Sequence, residues 1–307
     1  MKPKHLLMTV LVVGMVMSTF AQSDPSSANR YIRTQDVVYG RKYGVALTLD
    51  VFQPTGPANG FGIIALVSGG WRSSHDNISP GSYAPYLERG YTVFAVVHGS
   101  QPKFILSEII PDVHRAVRFI RFHAGRWSIN PDRLGVTGSS AGGHLSLTLA
   151  TQGGPGLSDA KDPIDRVSSA VQAVACFYPP TDFLNYGGPG QRAVAEGELK
   201  AYQPAFGPES LTPEGRQRLG ELYSPARYIT ATLPPVLLVH GDADKLVPLQ
   251  QSEWFRQRAE DAGVDGRVRL VIKSGGAHGW PDSQVDRRTM ALWFDDHLRG
   301  LATDSRK

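Results

Sequence analysis

The chain is 307 residues long, 41% hydrophobic and 20% charged, with 33 glycines and 22 prolines. That is enough apolar material for one large core, and too many turn formers for a helical rod. It has no heptad run, short repeat or long block of like charge, which excludes coiled coils, solenoids and charged tails.

The N-terminus has three parts. Lys2, Lys4 and His5 precede an apolar stretch over residues 6–17, and the small residues Ser18, Thr19 and Ala21 follow. This predicts a secretory signal peptide over residues 1–21, with an apolar run too short to span a bilayer comfortably. Cleavage after Ala21 removes Lys2 and Lys4 and so halves the formal charge of +4, which gives no ground for nucleic acid or acidic lipid as a partner. No cysteine stands at the cleavage point to carry a lipid. Cys176 is the one cysteine, so no internal disulfide forms even in an oxidising compartment. The expectation is a soluble secreted or periplasmic protein with a polar joint at residues 22–30 and a single domain at 31–303.

Along that domain, residues 47–52 (LTLDVF) alternate apolar and polar, as a half-buried antiparallel edge strand does. Residues 62–67, 91–97, 171–177 and 235–239 are continuous apolar runs rich in β-branched side chains, the pattern of strands buried on both faces of a parallel sheet. Shorter strands are predicted at 133–138 and 267–272. Ile109, Val113, Ala116, Val117 and Ile120 recur at helical spacing, with Pro111 placed in the first turn. A second helix spans about 249–262 and stops at Gly263, and a third spans about 284–298 and ends near Gly300. The alternation predicts an α/β fold with a mostly parallel, doubly wound sheet and helices on both faces. Residues 182–232 break the pattern and are too long for a bare connection. They read as a helical excursion over the strand ends, either a partial lid or an ordinary surface insertion.

The strand at 133–138 runs into Gly138-Ser139-Ser140-Ala141-Gly142-Gly143-His144 and then into helix-compatible residues. A G-x-S-x-G between strand and helix is a nucleophile elbow, in which small neighbours allow a strained turn that exposes the serine hydroxyl. A glycine-rich turn capping a helix gives the same spacing, so the partners decide. A serine needs a histidine to take its proton, and the histidine needs a carboxylate to fix its tautomer, in the chain order Ser, Asp/Glu, His for this fold class. The loop after residues 235–239 supplies Asp242 and Asp244, which spacing does not separate. The loop after 267–272 supplies His278 between glycines. His240 and His144 read as packing residues, and no histidine pair has zinc spacing with a third ligand. For the oxyanion, one backbone donor is expected from Ala141. The other donors are expected from the loop Ser68-Gly69-Gly70-Trp71 after the strand at 62–67.

These residues resemble the α/β-hydrolase carboxylesterases, the group that includes hormone-sensitive-lipase-like and bacterial feruloyl/acetyl-xylan-esterase-like enzymes. The matching pieces are Tyr39 with LTLDVFQP at 47–54, the loop at 68–71, GSSAGGH at 138–144, HGDADKLVP at 240–248 and GGAHGW at 275–280. The resemblance implies Asp244 as the acid of the triad. The family's oxyanion loop reads His-Gly-Gly-Gly before an aromatic. Aligning on Trp71 makes Gly69 and Gly70 the donors, and a one-residue shift makes them Gly70 and Trp71. Residues 31–54 read as strands rather than as an N-terminal helical cap, which favours the feruloyl/acetyl-xylan type.

The expectation is therefore an exported serine carboxylesterase acting on a small-molecule or glycan-linked ester with a short or aromatic acyl group. Ser140, Asp244 and His278 form its triad, Gly69, Gly70 and Ala141 form its oxyanion site, and no cofactor or metal is needed. Trp71 and Trp280, like Phe183 and Tyr186, either line the substrate pocket or belong to the core. An amidase or peptidase with the same triad, or a non-catalytic binding protein on the same fold, are the rival readings.

Overall fold

The computed structural model describes residues 31–300, so the predicted signal peptide and polar joint lie outside the described residues. Eight strands form one sheet: β1 Tyr31–Lys42, β2 Val45–Pro54, β3 Gly62–Leu66, β4 Thr92–Val96, β5 Leu134–Ser139, β6 Ala173–Phe177, β7 Val236–Gly241 and β8 Val268–Lys273. Their order is β1-β2-β4-β3-β5-β6-β7-β8. β2 runs antiparallel to both of its neighbours, and every pairing from β4 to β8 is parallel. The apolar runs read from the sequence become β3, β4, β6 and β7, in which every residue is buried.

Residues 47–52 are antiparallel, as expected, but they are not an edge. β1 pairs along the outer side of β2 and takes that position. The polar residue that gives β2 its alternating look, Asp50, is fully buried. It accepts bonds from Arg33 Nε at 2.8 Å and from the Asp36 N–H at 3.0 Å, both on β1. A buried carboxylate paired across two strands thus imitates a solvent-facing one in the sequence.

The helices are α1 Ala84–Leu87, α2 Leu106–Phe122, α3 Ala141–Gln152, α4 Gln203–Phe206, α5 Pro213–Tyr223, α6 Gln250–Asp261 and α7 Ser283–Phe294. One face of the sheet packs under α2, α3 and α6, and the other under α1 and α7, which gives the two apolar clusters of a doubly wound fold. This is the α/β-hydrolase architecture. Pro111 falls inside α2 rather than in its first turn, because the helix already begins at Leu106. Proline there deprives the helix of one backbone bond, and the Lys42 ammonium bonds the nearby Glu108 carbonyl at 3.0 Å. Gly263 follows α6 in the left-handed conformation, with φ +70°. Among the described residues, no helix is long and apolar enough to cross a membrane.

Residues 182–232 connect β6 to β7 through α4, α5 and several 3-10 turns. Phe183, Tyr186, Val194, Leu199 and Phe206 are buried in the larger apolar cluster. The start of the segment is tied to α6. Gln251 Oε1 accepts the N–H groups of Thr181 and Asp182 at 2.8 Å each, and Trp254 Nε1 donates to Asp182 at 3.0 Å.

Candidate active site

β5 delivers Ser140 into a backbone conformation of φ +55° and ψ −120°. A non-glycine residue seldom adopts that geometry, and a surrounding structure must hold it. Its N–H is fixed to the Phe177 carbonyl at 3.0 Å, and its carbonyl receives the His144 N–H at 2.9 Å. The turn closes because its neighbours are small. A Cβ on Gly138 would stand 2.4 Å from the Gly142 backbone.

The loops after β7 and β8 bring two side chains to this serine. His278 Nε2 lies 2.9 Å from Ser140 Oγ, and His278 Nδ1 lies 2.7 Å from Asp244 Oδ2. A carboxylate can only accept at Nδ1, so the proton is on Nδ1 and the Nε2 lone pair faces the hydroxyl. The other Asp244 oxygen accepts the Leu246 and Val247 N–H groups at 2.9 Å each. Burial alone would raise the Asp244 pKa, but these bonds, together with His240 beside the carboxylate, outweigh it and hold the group ionised well below the usual range.

The two aspartates that spacing left open have different surroundings. Asp244 stands against His278, whereas Asp242 accepts the Gly275 N–H at 2.7 Å and so fixes the turn that leads to His278. His240 is fully buried with Nδ1 on Ser252 and Nε2 on the Val247 carbonyl. It braces the acid loop.

The loop after β3 folds into a tight turn in which the Gly69 N–H bonds the Arg72 carbonyl and the Arg72 N–H bonds the Gly69 carbonyl, both at 3.0 Å. The Gly69 donor is therefore occupied. The next two N–H groups, on Gly70 and Trp71, lie at the apex, where φ is +54° and +59°. Gly70, Trp71, Ser140 and Ala141 line one small cavity with Leu199, Tyr202, Leu246 and Val247, and Gly69 is not among its walls. Of the two registers read from the sequence, the geometry brings the Gly70–Trp71 pair to the serine. Ala141 opens α3, so its N–H has no acceptor within the helix. A Cβ on Gly70 would meet the Tyr202 ring at 2.3 Å.

Two residues lie behind this turn: Gln101, which the sequence did not single out, and His144, expected as a packing residue. Gln101, almost fully buried, donates from Nε2 to the Gly70 carbonyl at 2.9 Å and from its backbone N–H to the Trp71 carbonyl at 3.2 Å. His144 accepts from Trp71 Nε1 at 3.2 Å, and its own Nε2–H donates to the Tyr223 carbonyl at 2.8 Å. Burial pushes the His144 pKa down to about 4, so the neutral ring links the turn, α3 and the segment at 182–232. Trp71 is buried against His144, Phe183, Tyr202 and Phe206. Trp280 lies elsewhere, packed on Phe177 and Tyr178 with its indole N–H on Asp286 at 2.7 Å. Neither Phe183 nor Tyr186 lines the cavity.

Among the described residues, Asp36, Asp50 and His75 are the only cluster with metal-ligand spacing. Arg33 already binds Asp50 there, which opposes a cation.

Comparison with known proteins gives one family. Residues 49–259 match BD-FAE. The chain belongs to the BD-FAE family. It is similar to two proteins of Mycobacterium tuberculosis (strain ATCC 25618 / H37Rv). The first is the probable carboxylic ester hydrolase LipM, 29% identical over 73% of this chain and 51% of the relative. The second is the esterase LipQ, 28% identical over 78% of this chain and 56% of the relative. The chain thus spans about half the length of these relatives. Among solved structures, a truncated carbohydrate esterase from gut microbiota superposes with a TM-score of 0.70 at 24% identity, covering 88% of this chain and 98% of that one. Esterase 2 of Thermogutta terrifontis with propionate bound gives 0.65 at 24% identity, covering 89% and 96%. Both carry the same fold.

Proposed function

We propose that this protein is an exported serine carboxylesterase for short-acyl esters. The continuous hydrogen-bond chain from Ser140 through His278 to Asp244 carries the reading, and the names of the LipM and LipQ relatives support it. Ser140 Oγ attacks the ester carbonyl as His278 Nε2 takes its proton. The imidazolium, stabilised by Asp244, then returns that proton to the leaving alkoxide. Water, activated by the same histidine, releases the acid from the acyl-enzyme and restores the serine.

The oxyanion that forms between these steps meets the N–H groups of Gly70, Trp71 and Ala141. In a trans peptide the carbonyl and the next N–H point in opposite directions. Gln101, by holding the Gly70 carbonyl from behind, therefore aims the Trp71 N–H at the serine. Gln101 is a positioning residue in this scheme. The cavity at Ser140 is only about 10 Å³, room for roughly one water, which suits an acyl group as small as acetyl. Leu199 and Tyr202 make the segment at 182–232 a fixed wall of that cavity, the sense in which it serves as a lid. Export rests on the three-part N-terminal pattern.

The test is hydrolysis of para-nitrophenyl acetate, butyrate and octanoate by the mature protein beside Ser140→Ala. Serine-dependent turnover that falls with chain length is expected. Turnover that survives the substitution, or its absence on every ester with the protein folded, overturns the assignment.

A further inference from the structure

A second cavity lies against the stretch that leads into the oxyanion turn. It measures about 300 Å³ and lies between that turn, the end of β5, the short α1 region and α7, at the lower end of small-molecule pockets. Two of its wall residues are chain neighbours of the proposed machinery: Gly69 precedes Gly70, and Ser139 precedes Ser140. Its chemistry is unlike that of the cavity at Ser140, whose far walls are Leu199, Leu246 and Val247. Here Ser68, Asn77, Ser79, Ser82 and Tyr83 offer hydroxyl and amide groups. One cation, Arg287 of α7, lines it, and no carboxylate does.

Two further observations bear on what belongs there. Ser68 Oγ is buried behind the cavity wall without a hydrogen-bond partner, and a turn of the side chain would bring it to a ligand or a water. The Arg287 guanidinium lies 5.0 Å from the centre of the Phe177 ring, and its charge opposes the burial-driven rise in the pKa of Tyr83, Tyr86 and Tyr178. A guanidinium set among phenols and hydroxyls in a half-buried place holds a bidentate anion more strongly than it would in open water. The larger groove beside α2 differs. Its Lys42 and Arg115 are already paired with Asp112, Asp162 and Asp165.

We propose that the cavity walled by Ser68, Ser139 and Arg287 is the subsite for the alcohol half of the ester, and that it selects alcohols bearing a carboxylate. This rests on the esterase reading. The cavity at Ser140 has room only for a small acyl group, so the larger half of the ester takes the roomier, polar pocket, where the Arg287 fork receives the carboxylate and the serine hydroxyls bond the rest.

The experiment compares para-acetoxybenzoate with its neutral methyl ester. Wild-type protein is expected to prefer the acid, through KM, with a preference that shrinks as sodium chloride rises. In Arg287→Met the acid-to-neutral ratio of kcat/KM is expected to fall tenfold or more, and Arg287→Lys to restore part of it, with thermal unfolding reporting the fold of each. A ratio that stays the same in Arg287→Met, or that ignores salt in the wild type should that variant not fold, overturns the proposal. Loss of the esterase reading shows separately, as no turnover of either ester by the wild type. In that case calorimetry with para-hydroxybenzoate decides, with binding by wild type that Arg287→Met loses as the supporting result, and no binding by either, or equal binding, as the overturning one.

Discussion

The two halves of the proposed site are built by different means. On the proton-transfer side, side chains from the ends of β5, β7 and β8 meet directly, with Asp244 held by the N–H groups of its own loop and the Ser140 N–H by the end of β6. On the proposed oxyanion side the groups are backbone N–H donors on a turn with positive φ at Gly70 and Trp71, and a neighbouring loop fixes their direction through Gln101. The first half depends on which residues are present, and the second on how a few peptide planes are turned. Substitutions should therefore act steeply and locally in the first half, and gradually and from a distance in the second.

The largest expected effect belongs to the first half. Ser140→Ala should lower kcat by about 10⁶-fold in an ester assay. Asp244→Asn should come next, at about 10³–10⁴-fold or somewhat less, because the amide favours the wrong histidine tautomer. Asp242→Asn, two residues away, should cost less than about tenfold, since it disturbs only the turn at Gly275. Equal losses for the two aspartates would break the assignment of the acid.

The second half is probed by Gln101→Met, which keeps volume and removes the donor behind Gly70. A fall in kcat of about ten- to a hundredfold is expected, less than the loss of a whole oxyanion donor. The inhibition constant of a trifluoromethyl ketone should rise in parallel, while the pH profile of kcat/KM stays in place. A fall confined to KM would mean that Gln101 shapes the pocket and not the oxyanion site.

The smallest effect on turnover, but a clear one on stability, is expected at His144. His144→Leu leaves the Trp71 indole N–H and the Tyr223 carbonyl unpaired, at roughly 1–3 kcal/mol each, read from urea midpoints. Its folded pKa near 4 lies below the ordinary 6.5. Between those values the unfolded chain binds the extra proton, so stability falls as pH drops through that window, by on the order of 1 kcal/mol per pH unit for each such histidine. His98 and His114 share the direction. The leucine variant should show a shallower slope from pH 6.5 to 4, and an unchanged slope would place the His144 proton elsewhere.

Much of the fold was legible because its signals are local. A run such as residues 235–239 is apolar at every position because β7 is covered on both faces, and the elbow needs small residues at fixed offsets. Asp50 misled because a buried ion pair and an exposed strand face look alike in one dimension. The choice between Asp242 and Asp244 depends on which carboxylate the β8 loop approaches. The register of the oxyanion turn depends on a pair of bonds between Gly69 and Arg72 that composition does not reveal. Gln101 was silent for the same reason: one glutamine in a polar loop carries no mark of the carbonyl it faces.

The single thiol gives the molecule a built-in clock. Cys176 lies fully buried on β6, directly opposite Gly138 of the nucleophile strand, and burial pushes its pKa up, so it is inert while the sheet is closed. Alkylation of that sulfur, followed over hours under native conditions, counts the rare openings of the strands that carry the serine. Any ligand that seals the site should slow the count.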